Sequence, residues 1–213
     1  MITREEVAAR EAIAFRGSAL AYAGLTPGTS GNISVRLDDG VLVTPTGSRL
    51  GELDPGDVSK VDLDGRHLSG GKPSKEAFLH LGMLRARPTD RSVVHLHSHN
   101  AVALSCLADV DNADVLPPIT AYYVMRIGKL PMIPYFPPGE LALAKAVEDF
   151  AAEHKAVLLS NHGPVVGDVS LEAASSAMEE LEETAKLYFV LQGRQVRTLT
   201  EDQMQDLAQR FPS

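Results

Sequence analysis

"VVHLHSHN", residues 93–100, sets three histidines at alternate positions in a chain that has seven in all. In a β-strand, residues two apart project from the same face. The apolar pair Val93–Val94 therefore reads as part of a buried strand, "SVVHLH", that carries His95 and His97 side by side to its C-terminal end. Two imidazoles so placed form a rigid chelate for a metal ion. The continuation, "SHNAVALSCLA", has helical spacing and begins with Ser98, a good N-cap, so His99 is expected to turn away. Taken alone, an HxH pair is as often two partly exposed histidines as a metal site.

Outward from this stretch, strands and helices mix along the whole chain. "TREE" places Thr3 as N-cap with Glu6 three residues on, and Ala8, Ala12, Phe15, Ala19 and Tyr22 follow at helical spacing up to Gly24. "ISVRL" and "VLVT" flank the turn signal "DDG" and form a hairpin. "VSKVDLDG" is a further strand, and "GGKPSKEAFLHLGMLRAR" passes from a glycine loop into a helix with Ser74 as its cap. "LPMIPY" is a short proline-bounded segment, "GELALAKAVEDFAAEH" a helix, and "KAVLLSNHG" with "PVVGD" a strand pair or one extended strand. "SLEAASSAMEELEETAKLYFVL" is a long helix whose "EELEE" run, 179–183, reads as a solvated face. Hairpin-type connections outnumber βαβ units. The pattern predicts an α/β protein with one central sheet, mixed and mostly antiparallel, covered by helices in a single domain over 1–213.

Composition narrows the function. A formal net charge of −8 argues against a nucleic-acid binder, which needs a basic excess to displace counterions. The single cysteine, Cys106, leaves neither an internal disulfide nor a CxxC zinc site and fits a reducing compartment. No apolar stretch is long enough to span a membrane, and "MITREEVAAR" lacks the apolar region of a signal peptide, so a cytoplasmic protein is expected.

Two further signals gather around the histidines. "LLSNHGPVV" ends an apolar run in Asn161–His162–Gly163, a histidine at a strand end beside a glycine. Glu76 in "KPSKEAF" falls in the first turn of a helix, where the macrodipole favours an ionised carboxylate, although most glutamates so placed have no function. Three imidazoles with an open or carboxylate-filled fourth position form a catalytic zinc set. Separately, "GTSGN", "TPTGS" and "GGKPSKE" each combine glycine with small hydroxyl or amide donors. Any one of these is an ordinary turn. Together, with Ser74 at a helix start and Lys75 adding a charge, they suit an anionic ligand such as phosphate.

In this order, "GTSGNISVR", "VLVTPTG", "GGKPSKE", "VVHLHSH" and "LLSNHGPVV" resemble the class II aldolase/adducin superfamily of zinc-dependent sugar-phosphate enzymes. The longer strings "TPTGSRLGELDPGDVSKVDLDG" and "YYVMRIGKLPMIPYFPPG" are similar to its 3-oxo-tetronate 4-phosphate decarboxylases. The resemblance implies a three-layer α/β/α class II aldolase-like fold. It implies one Zn2+ or similar divalent ion per subunit on His95, His97 and His162, with Glu76 as acid/base and as a ligand when substrate is absent. Gly31, Asn32, Thr46, Gly47 and Ser74 match its phosphate-binding positions. Lys75 stands where the aldolases have a second serine; Lys75 and Arg126 are candidates to recognise a carboxylate. Tyr122 and Tyr123 fall where the aldolases carry a proton-donating tyrosine.

The implied reaction is decarboxylation of a phosphorylated four-carbon sugar acid to dihydroxyacetone phosphate and CO2 through a metal-stabilised enediolate, in a homotetramer. The alternatives are a sugar-phosphate aldolase or dehydratase, and a non-catalytic module like the adducin head, which should lack the ligands.

Overall fold

The computed structural model describes residues 2–137 and 139–211. Its centre is an eight-stranded sheet built from β1 (Asn32–Leu37), β2 (Gly40–Val43), β3 (Ser59–Val61), β4 (His67–Ser69), β5 (Ser92–His95), β6 (Met132–Ile133), β7 (Ala156–Leu159) and β8 (Gly163–Asp168). The order across the sheet is β4-β3-β2-β1-β5-β8-β7-β6. Every pairing is antiparallel except β6 with β7. The expected mixed, mostly antiparallel sheet is therefore present. The "DDG" turn closes the β1–β2 hairpin, with Leu37 opposite Gly40.

Alternation along the strands splits the apolar residues between two cores. Ile33, Leu42, Val94, Leu158 and Val166 face one layer of helices: α1 (Arg4–Tyr22), α3 (His99–Ser105), α4 (Ala121–Arg126) and α6 (Leu171–Val190). Val41, Val43, Val93, Val157 and Val165 face the other, α2 (Ala77–Ala86) and α5 (Leu141–Ala151). Each such side chain contributes about 1.5–3 kcal/mol when fully buried. The result is a three-layer α/β/α arrangement. The final helix, α7 (Glu201–Arg210), packs near α4 and has no fully buried residue; the sequence reading did not include it or α4.

Four local expectations need correction. In α1 the capping residue is Thr3, as expected, but the buried face is Glu6, Arg10, Ile13, Gly17 and Leu20, while Phe15 and Tyr22 are exposed. Both rows have the same spacing. The packing face is set by ion pairs of Glu6 with Arg10 and Lys60, and by Gly17, where a Cβ would lie 2.8 Å from the Leu50 carbonyl oxygen. Glu182, expected on a solvated face, is buried: its carboxylate accepts from the backbone N–H groups of Asn100 and Ala101 at 2.9 Å each. It thereby satisfies the open start of α3. Ser98 does precede α3, but its own side chain makes no cap bond.

The third correction concerns Ser74. The segment before α2 stays extended, because Ser74 N–H donates to the Thr44 carbonyl and Thr46 N–H to that of Lys72. The helix thus starts at Ala77, Glu76 takes the cap position, and Ser74 Oγ accepts from Glu76 N–H at 3.2 Å. Finally, β5 ends at His95, not His97. Its last partners are Asn32, where β1 begins, and Val165 on β8; beyond Val165, β8 runs on as Pro164 and Gly163 paired with β7.

Candidate metal centre

The metal candidates meet at this end of β5. Asn32 and His95 are opposite each other in the β1–β5 register, on the face that α2 covers. β7 and β8 are joined by a tight turn in which Asn161 adopts a left-handed φ of 54°, a conformation that asparagine tolerates better than most residues. Its N–H bonds to the Ser105 carbonyl, and the next N–H, that of His162, reaches Ser105 Oγ at 3.2 Å. Gly163 follows for a steric reason: a Cβ there would lie 2.5 Å from the Leu96 carbonyl oxygen. These contacts turn the His162 ring towards His95 and His97. The three rings stand edge to face, with centroids 4.7–5.0 Å apart.

Glu76 completes the cluster. One ligand atom from each of Glu76, His95, His97 and His162 can be chosen so that all lie within 4.8 Å of one another. His162 Nε2 is 3.2 Å from Glu76 Oε1, and His95 Nε2 is 3.6 Å from Glu76 Oε2. His95 Nδ1 donates to the Pro164 carbonyl at 2.8 Å, which leaves the Nε2 lone pair aimed inward. Burial lowers the pKa of His95 to about 3 and also lowers that of His97, so both rings are neutral near pH 7, as metal ligands must be. Burial alone would raise the Glu76 carboxyl. The hydrogen bond with His162, the field of His95 and the Asn32 amide outweigh it, and the carboxyl is held well below its usual range. The donors, their protonation and the outer hydrogen bond all fit a divalent ion of the zinc class. His99 lies on α3, exposed, as expected of a residue outside the ligand set.

Two cavities flank the centre. One, about 200 Å³, is lined by Gly31, Asn32, Thr46, Gly47, Ser74 and Lys75 and runs to Glu76 and His97. The five residues expected to hold phosphate thus line one space, together with Lys75, which was a candidate for a carboxylate. Gly31 is needed there by its φ of 79°. The other cavity, about 640 Å³, opens beside His97 and His162, with His99, Val102, Tyr135 and Phe136 among its walls. Tyr122 and Tyr123 line neither. Tyr123 is buried in the core and its hydroxyl has no hydrogen-bond partner among the described residues, while Tyr122 is exposed beside Arg126. Arg126 itself donates to the Ser176 carbonyl.

One member of the site escaped the sequence reading. His80 is fully buried and joins Asn32 to Ser34. Its position four residues after Glu76, on the same helix face, was the available signal.

Three imidazoles and a carboxylate thus gather at one end of the sheet, where they could hold a metal ion, beside a cavity lined by small hydroxyl, amide and glycine residues. The chain belongs to the family described as Class II Aldolase and Adducin N-terminal domain, whose model matches residues 11–189. It is 48% identical to the 3-oxo-tetronate 4-phosphate decarboxylase of Escherichia coli K12, over 95% of this chain and 96% of that one. It is 35% identical to the L-fuculose phosphate aldolase of the same strain, over 78% of this chain and 75% of the aldolase. Among solved structures, YgbL from Escherichia coli superposes with a TM-score of 0.93 at 46% identity, covering 96% of this chain and 99% of that chain.

Proposed function

We propose that this chain is a metal-dependent carboxy-lyase that converts 3-oxo-tetronate 4-phosphate to dihydroxyacetone phosphate and CO2. The observation that carries the reading is the 48% identity to a decarboxylase of that name along nearly the full length of both chains. The aldolase likeness is weaker and shorter.

The site supports the chemistry step by step. Gly31, Asn32, Thr46, Gly47, Ser74 and Lys75 hold the phosphate in the smaller cavity and so fix the reacting carbons near Glu76. Breaking the C1–C2 bond releases CO2 and leaves its electron pair across C2 and C3, with negative charge on the C3 oxygen. A divalent ion on His95, His97 and His162 supplies Lewis acidity where that charge develops. Glu76 is ionised at rest, so it must take up a proton from water before delivering it to C2, and the C2 hydroxyl keeps its own proton in the product. The apolar wall of Val102 and Phe136 in the larger cavity favours neutral CO2 over a carboxylate. Lys75 belongs to the phosphate side in this reading, and Arg126 has no part in it. Of the two tyrosines, only Tyr122 is exposed enough to meet a substrate, and since it lies outside both cavities the proton transfer is assigned to Glu76.

The reading also takes the enzyme to use Zn2+ and to work as a homotetramer, as the family resemblance implies, and to be cytoplasmic, as expected from the composition. No helix among the described residues is long and apolar enough to cross a membrane. The deciding experiment offers the zinc-loaded protein both stereoisomers of 3-oxo-tetronate 4-phosphate, and separately dihydroxyacetone phosphate with an aldehyde. Release of CO2 with dihydroxyacetone phosphate is expected. Condensation of the aldehyde with no CO2 release would replace the decarboxylase by an aldolase.

A further inference from the structure

We propose that His80 is a positioning residue that acts through Asn32 to fix the Glu76 carboxylate, tying the phosphate cavity to the metal centre. The proposal rests on the reading of Glu76 given above. The geometry is a single hydrogen-bonded line across the α2–sheet interface. Glu76 caps α2 and His80 lies in its first turn, while Asn32 and Ser34, two apart on β1, share the face that these two residues meet. His80 Nδ1 is 2.8 Å from Ser34 Oγ, and Nε2 bonds Asn32 Oδ1. Asn32 Nδ2 then donates to Glu76 Oε2 at 2.7 Å and lies 3.3 Å from Ser74 Oγ.

The line has only one consistent direction. A carboxylate accepts only, so the Asn32 amide must present its NH2 to Glu76 and its oxygen to His80. That oxygen requires the proton on His80 Nε2. His80 is buried and neutral, its pKa lowered to about 4, so it has one proton to place, and Nδ1 must accept from the Ser34 hydroxyl. Ser34 through His80 thus dictates which way the Asn32 amide faces. The same amide reaches Ser74, which lines the phosphate cavity, so one residue orients groups in both parts of the site.

Two measurements test this. In 15N-histidine-labelled wild type, NMR should find His80 as the Nε2–H tautomer; an Nδ1–H ring would reverse the Asn32 amide and overturn the proposal. Second, zinc affinity by chelator competition and kcat are compared in His80→Leu, His80→Gln, Asn32→Ala and the His80→Leu/Asn32→Ala pair. His80→Leu should lose about 10- to 100-fold in either quantity, the usual span for an outer-shell partner. His80→Gln keeps a donor towards Asn32 and should recover most of the loss. The double variant should be no worse than Asn32→Ala alone. Additive losses, or no rescue by glutamine, would show that His80 only fills space. If His80→Leu does not fold, the tautomer and the His80→Gln comparison still decide. The tautomer and zinc arms are independent of substrate, so a protein that releases no CO2 overturns the proposed function without touching this inference.

Discussion

His162 Nε2 lies 3.2 Å from Glu76 Oε1, although one residue ends a β-hairpin turn and the other caps a helix that packs on the sheet. They meet because β1, β5 and β8 lie side by side and bring their functional ends to the same edge. Two neutral imidazoles and an ionised carboxylate converging on His162 are most stable around a cation. Purified protein should therefore hold close to one zinc-class ion per chain. His95→Ala, His97→Ala and His162→Ala should each lose it, by elemental analysis, while His99→Ala retains it. Full metal content in His162→Ala would rule out the three-histidine site.

Glu76→Gln preserves size and the bond from Asn32 but cannot carry a proton. The expected fall in kcat is about two to four orders of magnitude, with the fold intact by circular dichroism. Near-normal turnover of metal-loaded protein would move the proton transfer to water or to Tyr122.

Lys75 shares its cavity with the residues proposed to hold the phosphate. Lys75→Ser should weaken substrate and the product dihydroxyacetone phosphate alike, by about one to two decades for a lost charge-assisted bond of about 1.5–3 kcal/mol. Selective weakening of the carboxylate-bearing substrate would instead place the carboxylate at Lys75.

Glu182 serves stability through α3. Glu182→Ala strands the N–H groups of Asn100 and Ala101 that its carboxylate now accepts. The cost should be about 1–3 kcal/mol, read as a drop of several degrees in Tm. An unchanged Tm would show that solvent replaces the carboxylate without penalty.

Acid should destabilise the metal-free protein. His80, with a free value of 6.5, is lowered to about 4 by burial, against the opposing field of Glu76. Between these values the unfolded chain binds a proton that the folded chain does not. The stabilisation is therefore fully present above about pH 6.5 and is lost as pH falls towards 4. His95, lowered to about 3, acts in the same direction. Thermal unfolding followed from pH 7 to 4 should show Tm falling, and less steeply in His80→Gln; a flat profile in wild type would contradict a buried neutral His80.

What the sequence determined by itself was the inventory and its local geometry. Alternation in "SVVHLH", the glycine beside His162 and the "DDG" turn are short-range features; they pointed to the strand, though not to its end at His95, to a candidate ligand and to the hairpin, because pleat and turn sterics act within a few residues. Local signals singled out the histidines, Glu76 and the glycine loops as candidates, but it was the resemblance to the class II aldolase/adducin superfamily that assigned them to a metal and a phosphate.

Tertiary structure decided which of several equivalent faces is buried. The two rows of α1 share one period, and the Glu6–Arg10–Lys60 pairs, the contact of Gly17 with Leu50 and the burial of Ile13 and Leu20 in the core go with one of them. Glu182 and His80 look like an ordinary surface carboxylate and core histidine until α3 is laid against α6 and α2 against β1. A buried polar group is defined by its partner, and these partners are remote in sequence: residues 100 and 101 for Glu182, 32 and 34 for His80. Periodicity records which side chains share a face, but a hydrogen bond across two elements depends on how those elements dock, which no single segment encodes.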